Sequence, residues 1–214
     1  MTATVPSPTA PPTAPSAPPT ARTLTPPGAA AFGEARRLPL VVRLEIGWVR
    51  VRPVHHGDGP ALHALVGRMS ARTRWLRFHA PVVQLTASQL RSLIQADHRD
   101  QETLLAEVEQ GGRWRLAGFA QYHRLRGGGH ADSAIALEDA WQGHGIGTVL
   151  ARCLTERASL AGIVALTGEV LSENRGAIGF IRGLAPRLER RLHGTTIELI
   201  CWLGRRADQR PAPG

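Results

Sequence analysis

From residue 46 onward, apolar and polar positions follow two alternating rhythms. Residues 46–54, IGWVRVRPV, alternate with period two and predict a half-buried strand. Leu62, Leu65, Val66 and Met69 then recur at helical spacing, behind Asp58 as a capping residue and Pro60 near the first turn. A short helical segment carries Thr73 to Phe78, and Thr86 caps a helix on which Leu90, Leu93 and Ile94 share one face. Residues 103–108 and 113–123 predict two strands joined by a turn at 109–112, and Gly127-Gly128-Gly129 predicts the next turn, into a strand over 131–138. A helix running to about Ala161, a strand over 163–170, a helix over 175–184 and a hairpin over 187–203 turning at His193-Gly194 complete the pattern. Strands and helices intermingle without strict alternation, which predicts an α+β architecture.

The flanks carry no such rhythm. Residues 1–38 are rich in Pro, Ala and Thr, with nine of the sixteen prolines in the first 28 positions, and too few large apolar groups to offset ordering entropy. We expect a disordered tail over 1–38, one folded domain over 39–203, and a frayed tail over 204–214. A chain of 214 residues is long enough to bury a core unaided. Neither a bilayer-length apolar run nor a secretory h-region is present, so the sequence predicts a cytoplasmic protein with no membrane partner. Cys153 and Cys201 form no disulfide framework and are expected in the core. His55-His56 lies without other ligands at metal spacing, and no metal is expected.

A net charge of +9 invites a nucleic-acid reading, but the basic residues are all arginine, scattered, with no lysine and no recognition-helix spacing. Arginine without lysine beside abundant Ala, Gly and Pro points to base-composition bias. The excess charge suits an anionic coenzyme equally well. A basic nucleic-acid-associated protein is kept as the lesser alternative.

The densest chemical signal is IALEDAWQGHGIGTVLARCL over 135–154, where a strand breaks into a glycine loop and then becomes an amphipathic helix. Backbone N–H groups at a helix N-terminus bind phosphate without a cationic side chain. The P-loop signature Gly-Lys-Ser/Thr is missing, and a dinucleotide fingerprint requires a third glycine where Leu150 stands. Gln142, Gly145 and Gly147 instead fill Gln-x-x-Gly-x-Gly, which resembles the acyl-CoA pyrophosphate loop of the GNAT acetyltransferase superfamily. Asn174, Ala177 and Phe180 resemble that family's later Asn-x-x-Ala-x-x-Phe motif. Ser70, Thr73, Arg77 and Phe78, with Trp75 in place of tyrosine, resemble a segment of bacterial domains related to protein lysine acetyltransferases. The resemblance covers about residues 49–203.

The resemblance implies a mixed, centrally splayed sheet flanked by helices on both faces, with acetyl-CoA in the cleft between the predicted fourth and fifth strands. It implies acetyl transfer to an amine, a small molecule or a protein lysine, by direct attack in a ternary complex, from a monomer or homodimer. The implied acetyl-CoA contacts are Ala136, Leu137, Gln142, Gly143, His144, Gly145, Ile146, Gly147, Thr148 and Asn174. In the related protein acetyltransferases a glutamate near the start of this strand is the general base, and its position falls on Asp132, with Glu138 on the same strand face as the second candidate. Where many relatives carry the tyrosine that protonates the thiolate stands Ile181; Tyr122 is expected in the core instead. These departures from the family pattern leave a non-catalytic acyl-CoA-binding module as the alternative.

Overall fold

A computed structural model describes residues 38–185 and 187–204 of the chain; the two expected tails lie almost wholly outside the described residues. In chain order the elements are β1 (Leu40–Leu44), β2 (Gly47–Pro53), α1 (Gly59–Arg68), α2 (Ala71–Phe78), α3 (Ala87–Ile94), β3 (Gln101–Gln110), β4 (Arg113–Arg124) and β5 (His130–Leu137). After β5 come α4 (Ile146–Leu160), β6 (Ala165–Leu171), α5 (Arg175–Leu184), β7 (Arg187–His193) and β8 (Thr196–Trp202). The strands form one sheet in the order β1-β2-β3-β4-β5-β6-β8-β7.

β1 is the element that the hydrophobic pattern did not predict. Its sequence LVVRL is a short apolar run with no clear period, directly after Pro39, and it gains its partner only by pairing antiparallel with β2. The extra strand shifts the count, so the cleft expected between the fourth and fifth strands lies between β5 and β6.

Every pairing is antiparallel except β5–β6. That parallel ladder holds only His130, Asp132 and the residue between them, against Ala165 to Thr167, and then the strands part. The sheet is therefore mixed and splayed at its middle.

Side-chain alternation sends the two faces of each central strand into different cores. On one face Leu150, Cys153, Leu154 and Ala158 of α4 pack on Leu104, Ala106, Tyr122 and Ala131. On the other, Leu62, Leu65 and Val66 of α1 and Leu93 of α3 pack on Leu105, Phe119 and Ala136. Fully buried leucines of this kind contribute about 1.5–3 kcal/mol each. β4 also passes β5 very closely at Gly118, where an added Cβ would run into the Leu137 side chain and lie 2.6 Å from the Ala136 carbonyl oxygen. The last residues of β5 are thereby held against β4 and away from β6.

Candidate active site

The glycine loop follows β5 through a short 3-10 turn over Asp139–Trp141. Gly145, the N-cap of α4, has φ 84° and no side-chain cap, which leaves the first amides of a 15-residue helix without an internal partner. Gly143 also has positive φ, at 79°, and nothing lies within 4 Å of the Cβ it lacks. Gly147 lies against the Phe180 ring, 3.5 Å from where a Cβ would stand, so the two GNAT-like motifs meet at this point. His144 is exposed, Thr148 is half-buried, and the Ile146 side chain is fully buried under the sheet, leaving its backbone as the part that faces the loop. An open, Cβ-free helix start beside a sheet gap fits a diphosphate-bearing acyl carrier.

Gln142 is tied inward. Its Nε2 donates to the Leu137 carbonyl (3.1 Å) and reaches Thr73 Oγ1 at 3.4 Å. Nearby, the Ser70 amide, the Ser70 hydroxyl and the Thr73 hydroxyl all donate to the Asp139 carboxylate, at 2.7–2.8 Å. Burial pushes the Asp139 pKa up, but these bonds outweigh it and hold the carboxyl below the usual aspartate value. The N-terminus of α2, which Ser70 also caps by accepting from the Thr73 amide, is thus fastened to the entrance of the glycine loop.

The Glu138 amide donates to the Ala117 carbonyl (2.9 Å), which places its peptide group on the β4 side. Peptide groups alternate sides along a strand, so Ala136 also faces β4, while Ile135 and Leu137 face the gap toward β6. The Leu137 carbonyl, turned toward Gln142, agrees with this. Of the two β5 residues implied as acetyl-CoA contacts, Leu137 thus turns its peptide group toward the gap and Ala136 toward β4, and the Ala136 side chain is buried among α1 and α3 residues.

The two carboxylates considered for the base sit at opposite ends of β5. Glu138 accepts from Arg68 Nε (2.9 Å) and Arg115 Nη2 (2.8 Å), is 7% exposed, and does not line the cavity described next. It is held in a buried ion pair with the two arginines. Asp132 lines a cavity of about 720 Å³ over the β5–β6 gap, with Arg77, Gln121, Thr167, Glu169 and Glu198 on the other walls. Burial raises the Asp132 pKa above the aspartate value of 3.8, with Arg77 and His123 pulling it back in part. His123 is the cross-strand partner of Asp132, and its pKa is lowered by burial. Its Nε2 lies 3.3 Å from Ser92 Oγ on α3.

Tyr122 is wholly buried on the α4 face, where its hydroxyl donates to the Arg99 carbonyl (3.1 Å) and burial pushes its pKa to about 12. Cys153 is buried in the same core and its thiol is likewise pushed to about 12, so it carries no thiolate near neutral pH. Asn174 caps α5, its Oδ1 accepting from the Ala177 amide at 3.1 Å.

Residues 68–185 match the family described as Acetyltransferase (GNAT) family. The chain belongs to the GNAT acetyltransferase family. The Acetyltransferase PA5475 of Pseudomonas aeruginosa is 26% identical over 139 residues, which cover 62% of this chain and 75% of the relative. The GNAT domain of S. lividans PAT has 26% identity and a TM-score of 0.68, covering 75% of this chain and 94% of that domain. The Salmonella typhimurium protein yncA, solved with its cofactor acetyl-CoA, shares the fold at a TM-score of 0.54 with 15% identity, over 78% of this chain and 98% of its own. A GNAT chain is an acetyltransferase that draws on acetyl-CoA. Among the described residues no group of His, Cys, Asp or Glu is arranged to hold a metal, and no helix is long and apolar enough to cross a membrane.

Arg77, Gln121 and Asp139 are the residues that sequence reading left without a role. Arg77 and Phe78 stood in a recognised segment, but only the packing of α2 beside β4 and β5 brings them to the cavity that Asp132 lines.

Proposed function

We propose that this GNAT acetyltransferase moves the acetyl group of acetyl-CoA to an amine, of a small molecule or of a protein lysine, by direct attack in a ternary complex. The observation that carries the reading is Asp132, a partly desolvated carboxylate lining a cavity over the β5–β6 gap, with an open glycine loop at the far end of β5. Acetyl-CoA supplies the activated acyl group when bound. The amides of the helix start at Gly145 to Thr148 take its diphosphate, and the gap-facing amides of Ile135 and Leu137 take the pantetheine arm and thioester oxygen. Asp132 would take one proton from the acceptor ammonium and so free the lone pair that attacks the thioester carbonyl; as the C–N bond forms and the C–S bond breaks, the second proton leaving nitrogen would go to the departing coenzyme A thiolate. A carboxyl pKa above the ordinary value makes its carboxylate a stronger base. Neither cysteine lines the cavity, in keeping with attack without an acyl-enzyme. Asn174 presents its amide nitrogen to the pantetheine arm while its oxygen caps α5.

The test is titration calorimetry with acetyl-CoA on the wild type and on Gly145→Glu, which puts a carboxylate and a strained φ into the loop. Micromolar binding that weakens at least 100-fold in the variant, followed by coenzyme A release on adding an amine panel, is the expected result. Binding without release against every amine leaves a sensor module, and no wild-type binding overturns the reading.

A further inference from the structure

Arg77 is the one arginine among the residues lining the acceptor cavity. Its guanidinium is wedged between the Phe78 ring, at 5.0 Å from the centroid, and the Phe119 ring, at 5.5 Å. Among the described residues it makes no hydrogen bond and no ion pair, and its Nε is a buried donor without an acceptor. Asp132 is near enough to attract it electrostatically but forms no bridge with it. Burial lowers the guanidinium pKa to about 10, which still leaves it charged at neutral pH. Gln121 Oε1, on the same cavity wall, is likewise buried without a donor. Gln121 pairs across the sheet with Ala134, one same-face step along β5 from Asp132, so its amide and the Asp132 carboxylate are diagonal neighbours.

A guanidinium with a buried, unpartnered Nε and a buried acceptor oxygen without a donor, lining one cavity with a carboxylate, are costly unless a ligand completes them. We infer that the acceptor carries a carboxylate beside its amine: a free α-amino acid, with its carboxylate on Arg77 and its amine between Gln121 Oε1 and Asp132. Arg77 suits this role because its fork pairs a carboxylate at two points while the phenyl faces fix its plane. The inference rests on the acetyltransferase reading and narrows it, since a lysine within a protein has no carboxylate adjacent to the attacking nitrogen.

The rest of the cavity makes the sign of the test decisive. Asp132, Glu169 and Glu198 line the same space, so electrostatics without Arg77 favour the more cationic acceptor. Converting an amino acid to its carboxamide removes the negative charge. The carboxamide should then be the better substrate unless Arg77 holds the acid.

The experiment measures coenzyme A release by the full chain with the proteinogenic L-amino acids and their carboxamides, with calorimetric acetyl-CoA binding as a separate arm. We expect kcat/KM for at least one amino acid to exceed that of its carboxamide tenfold or more. In Arg77→Met, which keeps the stem between the phenyl rings, that ratio should fall at least tenfold, and Arg77→Lys should retain part of it. General damage to the fold lowers both rates together and leaves the ratio unchanged. Equal rates for acid and amide, a preference for the amide, or turnover confined to amines without a carboxylate overturns the inference and leaves the acetyltransferase reading standing. Intact acetyl-CoA binding with no amino acid turned over at millimolar concentration overturns it too, whereas lost acetyl-CoA binding defeats the underlying reading first.

Discussion

The two ends of β5 solve opposite problems with opposite materials. At the Leu137 end the site is made of backbone: a helix start without a side-chain cap, glycines at positive φ, and strand amides bared by the splay from β6. At the Asp132 end it is made of side chains from α2, α3, β4, β5, β6 and β8 around one cavity. In the proposed reading, backbone dipoles recognise the acyl carrier, and they need only small residues in a fixed order. Side chains from six elements would then recognise the acceptor. The two aspartates follow the same division: burial raises the pKa of Asp132, while bonds from Ser70 and Thr73 lower that of Asp139.

The largest effect should come from breaking the acceptor end alone. Asp132→Asn keeps the shape but removes the proton acceptor, so kcat should fall about 10²–10⁴-fold with acetyl-CoA affinity unchanged. Steady-state kinetics beside calorimetry separates the two ends directly, and a parallel loss of affinity would tie Asp132 to the cofactor instead. The wild-type acid limb of kcat/KM should lie above pH 3.8, the ordinary aspartate value, because the raised pKa keeps the base protonated to higher pH. For stability the sign is reversed from the usual carboxylate. A raised folded pKa stabilises below 3.8, and that contribution is lost as pH rises through the raised value.

A smaller effect should follow from loosening the joint between the ends. Asp139→Ala removes the acceptor of three bonds from Ser70 and Thr73. These bonds are charge-assisted but exposed, so about 1–3 kcal/mol of stability should be lost, and Tm should drop by about 5 °C. KM for acetyl-CoA should rise several-fold, because Thr73, which Gln142 Nε2 reaches at 3.4 Å, loses its anchor. The lowered Asp139 pKa contributes stability above 3.8 that disappears as pH falls through the folded value. In Asp139→Ala the acid limb of a Tm–pH profile should therefore be shallower than in the wild type.

The same contrast explains what was legible in the chain. Gly143 and Gly145 each answer a local demand for positive φ, so the glycine-rich run carries the loop in sequence. Helices with regular apolar faces, such as those holding Leu62 and Leu93, were equally readable. The ion pairs of Glu138 were not readable, because a carboxylate on one strand face says nothing about Arg68 and Arg115, which reach it from distant segments. Which β5 amides face the gap depended on strand register, fixed by the bond from Glu138 to Ala117. Arg77, Gln121 and Glu198 converge only through the strand order β4-β5-β6-β8, which no local pattern encodes.

The smallest predicted effect concerns Asn174, where one side chain has two separable tasks. Its oxygen caps α5 through the Ala177 amide, and its amide nitrogen is the group proposed for the pantetheine arm. Asn174→Ala removes both, so about 1 kcal/mol of stability should be lost. Losing one neutral hydrogen bond should also raise the acetyl-CoA Kd about threefold to tenfold. Asn174→Ser restores the acceptor oxygen without the donor, because serine caps nearly as well as asparagine. Thermal melts of Asn174→Ser should therefore return close to wild type while the calorimetric Kd stays raised. If both return together, α5 matters to the cofactor only through its folded end, and recognition at that end of β5 is made of backbone alone.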